Sequence, residues 1–215
     1  QRAGHIGKIV VRPPLIEPTA KSKQNVSLAD NWLITGGTQG FGLATAKWLS
    51  ARGAQKLWLV SRSGQLDDAV KTDLAPAKIE VRAADVSNAE SMAHLAKEIG
   101  AAGGLDGVVH AAGVICDKLF ENLDDTDIAS VLVPKTDGGA IIDHVARQFN
   151  LRHFWLYSSV SARFGNPGQA PYVVGNNALE TLAARRRAEG LPALAIGWGP
   201  IADVGMLAKD PEGRA

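Results

Sequence analysis

An α/β fold is what the sequence predicts: an open, doubly wound parallel sheet with helices on both faces, in three layers. Three observations point there. From Asn31 onward, short apolar runs alternate with longer amphipathic ones. Most of the short runs are continuously apolar, as parallel strands covered on both faces are. The turn after the first run is rich in glycine and opens an amphipathic stretch. Repeated strand–helix units with right-handed crossovers build such a Rossmann-like sheet, and ligands bind it at the carboxyl ends of its strands.

The first predicted strand, 32–35, runs into Thr35-Gly36-Gly37-Thr38-Gln39-Gly40-Phe41-Gly42, and a helix follows over 41–52. Glycines there permit a tight turn and let the backbone approach a pyrophosphate at the helix N-terminus. The second strand, 57–60, ends in Ser61-Arg62-Ser63, before a helix over 65–75. An acidic residue at that point would hold the ribose 2′-hydroxyl of NAD, whereas an arginine accommodates a 2′-phosphate. The preferred cofactor is therefore NADPH; an Arg solvated in its loop is the alternative. The third strand, 79–81, is followed by Asp85-Val86, where a carboxylate can meet the adenine edge, and a helix spans 88–102. The fourth, 107–111, ends in His110-Ala111-Ala112-Gly113, whose small residues let the backbone pack against the cofactor. His110 is given no catalytic role.

A helix over 124–149 carries the apolar stripe Ile128, Val131, Leu132, Ile142, Val145, Phe149, and Lys135 falls on that stripe. An inward lysine is costly unless paired or functional. Pro134 and Gly138-Gly139 predict a kink. The fifth strand, 154–157, leads to Ser159, and a helix over 169–189 sets Tyr172 and Asn176 on one face before the last strand, 194–198. A phenol, a hydroxyl, an amide and an ammonium are what a ketone needs in order to accept a hydride. Ser159 and Tyr172 would hydrogen-bond the ketone oxygen, and Tyr172 would protonate the alkoxide. Lys135 would lower the Tyr172 pKa from its ordinary value near ~10. Asn176 would anchor a water or the lysine, so that the proton is replenished.

The 215 residues fit one domain, or one with a tail, and a formal net charge of +1 implies no general pull toward nucleic acid or membrane. No run reaches the roughly eighteen apolar residues of a membrane helix, and no signal peptide is seen. The lone Cys116 excludes an internal disulfide and a cysteine metal cluster, which fits a reducing cytoplasm. Residues 1–27 read as the tail of a preceding domain plus a polar linker, residues 28–215 as the dinucleotide-binding domain, and both ends look cut from a longer polypeptide. Arg185-Arg186-Arg187 reads as a solvated helix face, with a docking patch as the alternative.

The runs TGGTQGFG (35–42), LVSRSG (59–64), HAAGV (110–114), Lys-x-x-Gly at 135–138, YSSVSARFGNPGQAPYVVGN (157–176) and GLPALAIGWGPIADVGMLA (190–208) closely resemble one family. It is the ketoreductase domain of type I polyketide synthases and multienzyme fatty acid synthases, within the short-chain dehydrogenase/reductase superfamily. Ordinary members of the superfamily carry lysine four residues after the tyrosine. Here Asn176 stands there and the lysine is Lys135, the exchange typical of the synthase ketoreductases. The resemblance implies reduction of a β-ketoacyl chain on the phosphopantetheine arm of an acyl carrier protein. It places Trp198, Pro200 and Ile201 at the nicotinamide end and a substrate lid after them. It also implies control of product configuration: Asp117, the retained last position of a Leu-Asp-Asp marker, and Phe164, in place of a tryptophan eight residues before Tyr172, favour the D-alcohol. Residues 4–10 look like the final strand of an enoylreductase domain. The neighbours implied are therefore an enoylreductase, a dehydratase and the ketoreductase's own structural half upstream. A non-catalytic domain keeping the fold for architecture or dinucleotide sensing is the alternative reading.

Overall fold

The computed structural model describes Leu28 and residues 30–200. The expectations for residues 1–27, for Ile201 and for the lid segment lie outside the described residues.

Elements follow in chain order as β1 (Asn31–Thr35), α1 (Gly40–Ser50), β2 (Lys56–Ser61), α2 (Asp68–Asp73), β3 (Lys78–Ala83), α3 (Ala89–Ala101), β4 (Gly107–His110), α4 (Asp125–Ala146), β5 (His153–Ser159), α5 (Ser161–Phe164), α6 (Ala170–Ala188) and β6 (Leu194–Trp198). All strands pair in parallel, in the order β3-β2-β1-β4-β5-β6. The order reverses between β1 and β4, and a doubly wound sheet binds its ligand at such a switch point.

Alternate residues of one strand feed opposite faces of the sheet. Leu33, Val108, Phe154 and Leu156 pack under α3, α4 and α6 with Met92, Ile99, Ile142 and Leu179. Trp32, Ile34, Leu57 and Leu59 pack on the other face with Ala46 and Leu49 of α1. Both faces of the central strands are therefore dry, which is why the middles of β1, β2 and β4 are continuously apolar and their polar residues sit at the strand ends. The edge strand β3 instead carries Lys78, Glu80 and Arg82, charges that discourage edge-to-edge pairing.

Side chains cap three of the helices. Asp67 accepts from the Ala69 N–H, Asn88 from the Ser91 N–H, and Asp124 forms a capping box with Asp127. The N-cap of α1, Gln39, makes no such bond. The first N–H groups of α1 are thus left facing the cleft beside the glycine turn. Pro134 and the Gly138-Gly139 pair, where the sequence predicts a kink, lie within the single helix α4. The glycines serve close packing. A Cβ on Gly138 would come within 2.8 Å of the Val86 side chain, and one on Gly139 within 2.9 Å of Leu179 on α6.

Candidate active site

A cleft of about 770 Å³ opens over the carboxyl ends of β1, β2 and β4. Its lining takes in Thr35, Gly36 and Gln39 of the glycine turn, Ser61, Arg62 and Ser63 after β2, Asp85 and Val86 after β3, and Ala112 and Gly113 after β4. Gly36 has φ +68°, and a Cβ there would meet the Ala111 carbonyl oxygen at 2.9 Å. A Cβ on Gly42 would fall 2.1 Å from the Gly36 oxygen, so no larger residue lets α1 start so close to the turn. Asp85 accepts from the backbone N–H of Ser87 at 2.9 Å and from its hydroxyl at 2.6 Å, both on Oδ1. These bonds, together with the Arg62 charge, hold its carboxyl below the usual range. A helix N-terminus and a glycine cradle on one rim fit a dinucleotide, with the exposed Arg62 beside them.

A second pocket, about 340 Å³, lies on the far side of Phe41. Ser159, Tyr172, Phe164, Gln169, Trp198 and Pro200 line it. Phe41 lines this pocket, stacked on Trp198 with ring centres 5.3 Å apart. Phe164 is 86% exposed at the rim. Asp117 accepts from Gln169 Nε2 at 2.9 Å, and its charge reaches Tyr172.

Lys135 lies between the two cavities. Its stem runs 3.1 Å from where a Cβ on Gly175 would sit, and its Cε lies equally close to one on Gly113. A Cβ at either place would crowd the side chain, which would have to give by a few tenths of an ångström. The Lys135 ammonium donates to the Tyr157 carbonyl at 3.1 Å and stands 5.3 Å from the Tyr172 ring centre. Burial, at 5% exposure, pulls its pKa down to about 8. Asn176, wholly buried, donates from Nδ2 to the Tyr172 carbonyl at 2.8 Å, while its Oδ1 has no partner. The structure therefore brings together the four residues picked from the sequence. It differs on Tyr172, whose phenol burial pushes above its ordinary range, against hydrogen bonds with Asn176 and Ser159 and aided by Asp117. Below the site, burial and the Lys135 charge hold His110 at a pKa of about 3, so it stays neutral, hydrogen-bonded to Thr35 at 2.8 Å.

The lysine has a thermodynamic signature. Its folded pKa of about 8 lies below its ordinary 10.5, so the unfolded chain binds more protons between those values. Stability then rises with pH above about 8. Melting curves of the wild type relative to Lys135→Met should show a gain of about 3 kcal/mol across that interval; a pH-independent difference would contradict it.

Other contributors carry no motif. The Trp198–Phe41 stack and Ser161 beneath Ser159 escape periodicity arguments. Arg185 and Arg187 are exposed, as the solvated-face expectation has it, but Arg186 departs from it. It is 1% exposed, paired with Asp143 of α4, with its guanidinium 3.9 Å over the Phe154 ring. Among the described residues, no helix is long and apolar enough to cross a membrane, and no acidic, histidine and cysteine side chains group to hold a metal.

Residues 31–203 match the KR domain family. The chain is 41% identical over 189 residues to the polyketide synthase GfsB of Streptomyces halstedii, covering 86% of this chain and 3% of that protein. It is 36% identical over 212 residues to a phenolphthiocerol/phthiocerol polyketide synthase of Mycobacterium tuberculosis, covering 94% and 10%. Among solved structures, the ketoreductase from the first module of phoslactomycin biosynthesis in Streptomyces superposes with a TM-score of 0.78 at 34% identity, over 83% of this chain and 43% of that one. A-type ketoreductases from a modular polyketide synthase superpose at 0.80 and 32% identity, over 85% and 40%. The chain thus spans a small part of its curated relatives and about two fifths of the solved ketoreductases. With the family matched along the whole sheet and the exchanged lysine lodged between its two cavities, the chain belongs to the polyketide-synthase ketoreductases of the short-chain dehydrogenase/reductase superfamily.

Proposed function

We propose that the chain is the catalytic half of an NADPH-dependent β-ketoacyl reductase in a cytoplasmic synthase. It would act on a thioester held by the phosphopantetheine arm of an acyl carrier protein and release the D-configured alcohol. Its neighbours would be the ketoreductase structural half, a dehydratase and an enoylreductase. The convergence of Ser159, Tyr172, Asn176 and Lys135 between a dinucleotide-sized cleft and a smaller pocket carries this reading.

The bound cofactor supplies a hydride. Ser159 and Tyr172 donate to the ketone oxygen and stabilise the charge that develops on it. A raised pKa suits Tyr172 to the reductive direction, because the phenol stays protonated until the alkoxide forms. Asn176 Oδ1, buried without a partner, is an acceptor for a water that returns the proton. Asp117, held by Gln169 at the pocket's mouth, supports the assignment of configuration.

The test follows NADPH consumption by the full chain with a β-ketoacyl thioester and resolves the alcohol. Turnover to the D-alcohol is expected; the L-alcohol would overturn the role given to Asp117. Tight NADPH binding without turnover would favour the non-catalytic reading. Arg62→Ala should weaken NADPH about tenfold and leave NADH unchanged, the loss of one charge-assisted contact. Equal weakening of both cofactors would overturn the 2′-phosphate assignment.

A further inference from the structure

The Ser159 hydroxyl has two acceptor positions and one proton. Both acceptor positions are occupied from a single residue: the Ser161 N–H donates to Ser159 Oγ at 3.2 Å and the Ser161 hydroxyl at 3.0 Å. We infer that Ser161 is a positioning residue: by filling both acceptor positions of Ser159 it turns the Ser159 proton toward the pocket that Ser159 shares with Tyr172. The inference rests on reading that pocket as the site of ketone reduction.

Ser161 is well placed for this. It is 6% exposed, at the first position of α5, and its hydroxyl has Ser159 Oγ as its partner. The corner is clasped from both sides by α6. Ser158, just before Ser159, donates its hydroxyl to Glu180 Oε1 at 3.0 Å, and Arg163 on α5 pairs with Glu180 Oε2 at 2.7 Å. Asn177 donates to the Ala162 carbonyl at 3.1 Å. Tyr172, Asn177 and Glu180 all sit on α6, so the helix that presents the proton donor also fixes the turn that orients the second hydroxyl. Without the Ser161 hydroxyl, one Ser159 acceptor position opens. The Ser159 proton can then rotate away from the ketone, and part of the preorganisation that speeds the reaction is lost.

The test compares wild type, Ser161→Ala and Ser161→Thr in the full chain. It measures β-ketoacyl thioester reduction, NADPH affinity and melting temperature. Ser161→Ala should lower kcat about tenfold, equivalent to ~1.4 kcal/mol, with KM and NADPH affinity unchanged. Ser161→Thr, which keeps the donor, should recover most of that loss. A wild-type kcat in Ser161→Ala would overturn the inference. So would a Thr variant that melts normally yet is as slow as Ala, or an Ala variant whose lost turnover tracks lost NADPH binding and a lower melting temperature. A wild-type chain that binds NADPH but reduces no ketone would instead sink the reductase reading, and this inference with it.

Discussion

Tyr172→Phe is expected to lower kcat by two to four orders of magnitude while NADPH still binds. The range is roughly what one positioned general acid supplies. The ring would keep its place on α6, and the Asn176 bond to the Tyr172 backbone carbonyl would survive. What disappears is the proton and one of the two donors to the ketone oxygen. Steady-state turnover together with cofactor titration separates these effects. A variant with more than a tenth of wild-type kcat would mean that another group protonates the alkoxide. Since Lys135 stands 5.3 Å from the ring centre and is itself buried, it is the nearest candidate, and Tyr172→Phe/Lys135→Met would then remove the remainder.

Asp143→Ala carries the largest expected loss of stability, about 3–5 kcal/mol. Asp143 on α4 accepts from Arg186 through one carboxylate oxygen and from Arg147 and Arg185, each at 3.2 Å, through the other. Arg147 and Arg185 are well exposed, so their shares are small. Arg186 has nowhere to go. Its head lies over Phe154, Nε donates to the Pro192 carbonyl at 3.1 Å, and removal of the carboxylate strands a buried charge. Melting temperature should fall by roughly 10 °C. Asp143→Ala/Arg186→Leu should regain most of it, because the penalty belongs to the unpaired guanidinium rather than to the loss of an attraction. A double variant no more stable than the single would show that the pair contributes attraction of its own. The same pair ties α4 to α6, the helices that bring Lys135 to Tyr172, so kcat is expected to suffer even where the fold persists.

The strands could be read one by one because each is buried by its neighbours on both faces, and continuous burial leaves a continuous apolar run. Gly36 and Gly42 were legible for a similar local reason: a strand, a tight turn and a helix start follow one another within eight residues. Ser159, Tyr172 and Asn176 stood out as reactive types at element ends. Lys135 was marked by a mismatch, a cation on an apolar stripe, and that mismatch survives in the fold as a lysine whose pKa burial pulls down to about 8.

The parallel α/β architecture, the glycine turn and the residue types at the site follow from periodicity and from chemistry carried by single side chains. The rest depends on how the elements pack. Arg186 looks solvated in a run of three arginines until α4 presents Asp143 to it. Tyr172 is raised rather than lowered, since its pKa answers to burial first, against hydrogen bonds with Asn176 and Ser159 and with the Asp117 charge added. Phe41 lines the smaller pocket beside Trp198, far away in sequence, which stacks on it. Each of these depends on distances between elements distant along the chain, and packing sets those distances.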